Sequence, residues 1–347
     1  MKTVLVTIIS GQVIPNLLLI NELKSRYTDL LFITTPEMEG SGDLRKCRSR
    51  WLERASNLEE NSVERIIVKE DDWMDINANL KTVSFNDQTR YIVNLTGGTK
   101  VMTLAVFDYF ARPGNVIYYI PFPKNEYREL YPDRSGQPVP IKFSCTLNQY
   151  LLGHGVFYTC KMDTVFTREE TLSFFEKVRN AEFQMDLVPE IKMAHDMIEP
   201  SHKAYYSGGW FEEFVFWKIR DIYKLKDRQM AMGVCLYRSP EDSESDNEYD
   251  VIFTFRNSLY VIECKSSLGS AKMSRTNLDK SLYKLGAITK DFGLKVKSYV
   301  FTLTRLRNDQ KEWPSKMEKR RQILGIEKIL DSFDFVDFDN ILTKLIK

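Results

Sequence analysis

Two strand-like runs separated by three residues constrain this chain more than any other feature. Tyr249–Phe255 reads YDVIFTF and Leu259–Lys265 reads LYVIECK, with Arg256, Asn257 and Ser258 between them. A two-residue hairpin loop at Arg256-Asn257 pairs Phe255 with Ser258, and counting back along both strands sets Asp250 opposite Glu263. A four-residue loop gives the same register. Directly opposed side chains share a face with Cβ atoms roughly 4.5–5.5 Å apart, and alternation with period two brings Lys265 to that face as well. Two carboxylates that close repel unless a cation lies between them, and a divalent metal is the natural occupant.

The 347 residues suggest two domains with ample apolar material for two cores. No run of eighteen uncharged apolar residues exists to span a membrane. The chain enters TVLVTIIS with no small-residue cleavage site after it, which points to a cytoplasmic protein. The five cysteines (Cys47, Cys145, Cys160, Cys235, Cys264) lack C-x-x-C spacing, so neither a disulfide framework nor a zinc site is indicated. His154, His195 and His202 are too dispersed for a metal cluster or a Cys-His pair. The net charge of +1 hides asymmetry: Val261–Gly325 holds fifteen Lys and Arg against six Asp and Glu, the footprint of a surface that holds a phosphate backbone. Ser239–Asp250 holds six acids, and its stretch Ser239–Asn247 is expected to be a mobile loop beside the hairpin.

Before residue 121, apolar runs alternate with helix-period segments: TVLVTII then Pro15–Arg26, LLFITT then Leu44–Leu58, VERIIVK then Trp73–Leu80, RYIVNL then Val101–Phe110, and NVIYYIP. This alternation predicts βαβ units and a Rossmann-like, mainly parallel sheet covered on both faces. After Pro121, turn signals and a last strand near IKFSC suggest an antiparallel addition. The expected division is 1–145 for the first domain, 146–199 for a helical, winged-helix-like connector, and 200–347 for the domain carrying the hairpin. Thr167-x-x-Glu170 marks a capping box in the connector, and a helix (Asn277–Asp291), a strand (Lys295–Thr304) and a basic helix around Lys316–Arg321 follow the hairpin.

Parallel sheets present ligand-binding loops beyond the carboxyl ends of their strands. Three such loops are small and polar: Ser10-Gly11-Gln12, Thr34-Thr35, and Asn94-Leu95-Thr96-Gly97-Gly98-Thr99-Lys100. The last joins a strand to a helix, so its backbone N–H groups, threonines and lysine form a phosphate cradle at a helix N-terminus. It is neither a Walker A loop nor a G-x-G-x-x-G fingerprint.

The hairpin residues resemble the PD-(D/E)XK nuclease superfamily, with Asp250 as first acid, Glu263 as second and Lys265 as lysine. Tyr249 stands where the superfamily name has proline. The resemblance implies a further acid on an upstream helix, here Glu212 in Gly208-Gly209-Trp210-Phe211-Glu212-Glu213, with Glu213 as its rival. It also implies that Asp250, Glu263 and the Cys264 carbonyl hold Mg²⁺ or Mn²⁺, while Lys265 positions or deprotonates the attacking water. With IISGQVIPN after the first strand and NLTGGTK after the fourth, the chain resembles the CRISPR-associated Rossmann fold (CARF) nucleases of type III CRISPR systems. That resemblance implies a homodimer whose first domains bind a cyclic oligoadenylate, usually cyclic tetra-adenylate, and thereby activate cleavage of DNA or RNA. Ser10, Gly11, Gln12, Thr35, Asn94, Thr96, Gly97, Gly98, Thr99 and Lys100 would line the activator site. Two other readings are a ligand-gated transcription regulator, which would not need the Asp250/Glu263/Lys265 set, and a constitutive restriction or repair nuclease, which would not need the cradle.

Overall fold

The computed structural model describes residues 1–59, 62–160, 163–239, 241–242, 248–268, 271–292 and 296–346. Contacts divide the chain into two units: residues 1–157 with 238–242, and residues 158–237 with 243–347. Each unit is built on its own sheet.

In the first unit seven strands, β1 (Lys2–Ile8), β2 (Asp29–Thr34), β3 (Glu64–Ile67), β4 (Thr89–Asn94), β5 (Val116–Tyr119), β6 (Glu126–Tyr131) and β7 (Pro138–Pro140), lie in the order β3-β2-β1-β4-β5-β6-β7. Strands β1 to β5 are parallel, as the alternation with helices requires, and β6 and β7 add antiparallel at one edge. The order reverses at β1 and β4, the switch point at which a doubly wound sheet opens a crevice at its carboxyl edge.

The antiparallel strand expected near IKFSC is β7, which ends at Pro140; just beyond it Lys142 and Phe143 donate their N–H groups to one Glu22 carboxylate oxygen, at 2.9 and 2.7 Å. One expectation is corrected. The helix expected over Leu44–Leu58 is broken, because Cys47 adopts extended backbone between a 3₁₀ turn at Leu44–Lys46 and the helix Arg48–Ala55.

In the second unit six strands, β8 (Phe157–Cys160), β9 (Met230–Tyr237), β10 (Glu248–Phe255), β11 (Ser258–Lys265), β12 (Val296–Thr302) and β13 (Lys328–Leu330), lie in the order β13-β12-β11-β10-β9-β8. β9, β10 and β11 form an antiparallel meander, and β12 and β13 add in parallel. Residues 146–199 are shared between the units and form no body of their own: helix Leu147–Gly153 belongs to the first, while β8 edges the second sheet and helix Arg168–Asn180 packs on helix Trp210–Tyr223. Of the acidic stretch 239–247, residues 240 and 243–247 lie outside the described residues; at its start Asp242 accepts the N–H groups of Arg238 and Ser239 at 3.1 and 2.7 Å.

One face of this sheet is an aromatic-rich core. Val251, Phe253, Tyr260, Ile262 and Cys264 of the central strands meet Trp210, Phe211, Phe214, Val215 and Ile219 of helix Trp210–Tyr223. By alternation, Asp250, Glu263 and Lys265 face the other side, where helix Ala271–Asp291 packs on β11 and β12. No helix among the described residues is long and apolar enough to cross a membrane.

The Glu22 contact gives a direct test of the first unit's edge. Glu22→Ala should remove the carboxylate acceptor of two backbone donors and cost on the order of 1 kcal/mol, because Lys142 is exposed and water can replace the carboxylate there. Amide exchange at Lys142 and Phe143 should then accelerate well beyond that of the central strands; unchanged protection there would show that the carboxylate does not hold this segment.

Candidate functional site

The hairpin loop is the two-residue turn anticipated from the sequence. Phe255 pairs with Ser258 and Val251 with Ile262, and Arg256 and Asn257 both take positive φ (47° and 60°), the signature of a type I′ turn. The paired ladder ends at Val251 and Ile262, one position short of Asp250 and Glu263. The Asp250 carboxylate lies at the end of the ladder, where its Oδ2 accepts the Cys264 N–H at 2.6 Å and the Lys265 ammonium at 3.2 Å. Lys265 Nζ also reaches Glu263 Oε1 at 2.9 Å and the Cys264 carbonyl at 3.0 Å.

The helix acids are told apart by what each faces. Glu213 is fully buried and turned toward residues 165–171: its oxygens accept the Val165 N–H at 2.6 Å and the Thr171 hydroxyl at 3.2 Å. Glu212 is the one that joins the cluster. Burial pushes its carboxyl up to about 8, with the Asp250 charge adding to the shift and Lys265 opposing it. Asp250 is pushed up to about 6 by burial and then by Glu263, against the pull of Lys265, Lys284 and the Cys264 N–H. Burial lowers the pKa of Lys265, but Asp250 and Glu263 outweigh it and hold the ammonium above its ordinary value. Lys265 therefore stands in this site as a charged donor.

Lys284, absent from the sequence reading, completes the cluster. It projects from helix Ala271–Asp291 to Glu263 Oε2 at 2.6 Å and lies 5.1 Å from the centroid of the Tyr249 ring. Three carboxylates thus face two ammonium groups. The donors available to a cation are all hard oxygens, from Asp250, Glu263, Glu212 and the Cys264 carbonyl, which suits Mg²⁺ or Mn²⁺. Burial is the main reason both carboxyl pKa values are raised, with the neighbouring acids adding to it and the lysines opposing it. Among the described residues, no three Asp, Glu, His or Cys side chains group closely enough to hold a metal unaided.

The expected phosphate-holding surface is partly spent elsewhere. Lys265, Lys284, Arg305, Arg307, Arg320 and Arg321, all counted in the basic excess, pair with carboxylates inside the unit. Arg307 is locked to Asp331 and Asp334 and is only 14% exposed.

In the first unit, the loops after β1 and β4 meet at the switch point. Asn94 is wholly buried, donating to Thr7 Oγ1 (3.0 Å) and Asn16 Oδ1 (2.9 Å) and accepting the Thr96 N–H (3.0 Å). Thr7 donates to Asn16 Oδ1 at 3.0 Å and Asn16 donates to the Ile8 carbonyl at 2.8 Å, closing a hub that the sequence reading did not identify. The signal was an asparagine inside the apolar run IPNLLLI. Thr96 accepts the Ile120 N–H at 2.7 Å, and Thr99 caps the helix Lys100–Phe110 while donating to the Glu70 carbonyl at 2.6 Å.

Gly97 (φ 114°) and Gly98 (φ 72°) fit closely on β1: a Cβ would stand 2.8 Å from Ser10 Oγ at the first and 2.6 Å from Ile8 Cγ2 at the second. Gly11, Gln12, Gly98 and Lys100 are exposed, Ser10, Gly97 and Thr99 are partly so, and Asn94, Thr96 and Thr35 lie beneath them. Thr35 borders a cleft of about 640 Å³ with Glu37, Lys69, Glu70, Asp71 and Asp72, whose four acids outnumber its one lysine. An anion is better accommodated on the β1/β4 side.

The raised Glu212 and Asp250 carboxyls fix the sign of a pH effect. Folded Glu212 binds its proton more tightly than a free glutamate at 4.5, so metal-free protein should lose this stability as pH rises from about 4.5 to about 8. Thermal unfolding in chelator across that range should therefore fall more steeply for wild type than for Glu212→Gln. Equal slopes would remove Glu212 from the cluster.

Comparisons with known proteins agree with both halves of this geometry. Residues 4–150 match the Card1 CARF domain family, and residues 201–330 match the Card1-like endonuclease domain family. No curated protein matches the chain. Among solved structures, Can2 from Sulfobacillus thermosulfidooxidans in complex with cyclic tetra-adenylate is 20% identical, with a TM-score of 0.74 and full coverage of both chains. Protein VC1899 from Vibrio cholerae is 15% identical, with a TM-score of 0.78 over 99% of this chain and 97% of that one. A type III CRISPR defence DNA nuclease activated by cyclic oligoadenylate is 17% identical, with a TM-score of 0.61 over 93% of this chain and 52% of its own. With a CARF domain followed by a Card1-like endonuclease domain, the chain belongs to the family of CARF-domain nucleases.

Proposed function

We propose that this protein is a divalent-metal-dependent PD-(D/E)XK endonuclease of type III CRISPR defence, switched on by a cyclic oligoadenylate, most simply cyclic tetra-adenylate. The observation that carries the nuclease half is the convergence of Glu212, Asp250, Glu263 and Lys265 on one end of β10 and β11. The sensor half is supported by the exposed Gly98 and Lys100 above a rigid polar hub, and by the structural likeness to Can2, which was solved with cyclic tetra-adenylate. The active form is a homodimer that pairs two such sensor units across a two-fold axis, and the substrate is DNA or RNA.

Asp250, Glu263 and the Cys264 carbonyl would hold Mg²⁺ or Mn²⁺, with Glu212 contributing directly or through water. Such a cation supplies an acidified water and neutralises charge on the scissile phosphate when bound. Lys265 orients the water and donates to the phosphate oxygens. Its ammonium already sits between both acids and the Cys264 carbonyl, so little reorganisation is needed. The Cys264 N–H bond to Asp250 fixes that carboxylate's rotamer, and the core behind Cys264 keeps the strand end from shifting.

Labelled DNA and RNA, incubated with Mn²⁺ and cyclic tetra-adenylate, test both halves. Lys265→Met and Asp250→Ala should each slow cleavage by at least about 100-fold while activator binding is unchanged. Metal-dependent cleavage at the wild-type rate by Lys265→Met would defeat the assignment.

Lys100→Glu separates sensor from nuclease. It places a carboxylate where an anionic ring would lie, so stimulation by cyclic tetra-adenylate should disappear while activator-free cleavage persists. A dose–response curve matching wild type would exclude the β4 loop as the activator site.

A further inference from the structure

Glu263 is held by two ammonium groups at once, Lys265 on Oε1 at 2.9 Å and Lys284 on Oε2 at 2.6 Å. Lys284 reaches it from a different element, the helix Ala271–Asp291, and its side chain remains 23% exposed. Its ammonium also lies 5.1 Å from the ring centre of Tyr249, the residue before Asp250. Holding a carboxylate rotamer does not require a second charge, since a neutral donor fixes orientation as well. What Lys284 adds is compensation: Asp250 and Glu263 set against Lys265 alone would leave one negative charge unbalanced, and Lys284 supplies the second ammonium that offsets it.

We propose that Lys284 is a tethered counter-ion, occupying Glu263 in the metal-free site and competing with the divalent cation for it, so that it sets the cation concentration at which the nuclease loads. The inference rests on the metal-dependent reading of the site. Two effects of removing Lys284 oppose one another. Loss of ligand orientation weakens metal binding by roughly 10–100-fold. Loss of a positive charge attached to the ligand strengthens it, and Coulomb repulsion over a few ångströms is the larger effect even at an effective dielectric of about 20. Removal of Lys284 therefore tightens metal binding and destabilises the metal-free state.

The test is Mn²⁺ titration by calorimetry and thermal unfolding of the full chain, with chelator and with saturating Mn²⁺, for wild type, Lys284→Met and Lys284→Arg. Lys284→Met should melt below wild type in chelator, regain most of the difference with Mn²⁺, and bind Mn²⁺ at least about tenfold more tightly. Lys284→Arg, which keeps the charge, should stay near wild type. If Lys284→Met does not fold, Lys284→Gln, which keeps a donor for Oε2, carries the same comparison. Mn²⁺ affinity equal to or weaker than wild type, or a melting deficit of the same size with and without Mn²⁺, would make Lys284 a purely structural lysine. That result leaves the nuclease reading intact, whereas absence of both Mn²⁺ uptake and cleavage in every protein, wild type included, overturns the two together.

Discussion

The register of β10 against β11 is the constraint on which the second unit depends. One alternation sorts the side chains of both strands: Val251, Phe253, Tyr260, Ile262 and Cys264 enter the aromatic core, and the acids and Lys265 take the opposite face. A slip by one residue would exchange the two sets, driving Glu263 into the aromatic core and Ile262 and Cys264 out of it. The core therefore enforces the geometry of the acid–lysine cluster. Phe253 and Tyr260 reinforce it as a directly opposed pair, stacked with ring centroids 4.8 Å apart and planes 8° apart. The positive φ values of Arg256 and Asn257 close the hairpin in the twist that this pairing needs.

On that frame, Glu212 and Glu213 show how neighbouring residues divide two tasks. Helix Trp210–Tyr223 packs on the core face, so its first turn lies near the end of the sheet and can send one acid around to the cluster. The helix N-terminus favours a negative charge there, but burial opposes it more strongly. Glu213 takes the other direction, its oxygens accepting backbone N–H groups and the Thr171 hydroxyl. Burial raises its pKa against the pull of those donors. It thereby fastens residues 165–171 to the same helical turn that positions Glu212.

What could be read from the sequence follows from how local each interaction is. The hairpin and the shared side of Asp250, Glu263 and Lys265 were legible because turn length and strand period suffice to place them. That the first strands run parallel was legible because each strand and its following helix form one local unit, whereas their order in the sheet depends on longer-range packing. Lys284 was not, because its meeting with Glu263 depends on how a 21-residue helix docks on the sheet, which no spacing rule supplies. The choice between Glu212 and Glu213 stayed open because apolar residues surround that helix and give it no single buried stripe. The basic excess in 261–325 was counted correctly but overvalued as a surface: charge totals do not tell which cations already have carboxylate partners, and Arg307 with Asp331 and Asp334 is the clearest case.

The polar hub of the first unit explains why its loop glycines serve two ends. Asn94, Thr7 and Asn16 satisfy one another beneath the surface, and Asn94 also holds the Thr96 N–H, so the start of the β4 loop is fixed from below. Above that floor, Gly97 and Gly98 lie so close to Ser10 and Ile8 that a Cβ at either would overlap them. Their positive φ values would strain other residues even if space were made. The glycines are therefore required first by the fit of this loop on β1, and openness to an anion is a consequence of the same geometry. A loop held in this way has little freedom left to lose, so a ligand meeting Gly98 and Lys100 would meet a preformed surface and forfeit little binding energy to ordering it.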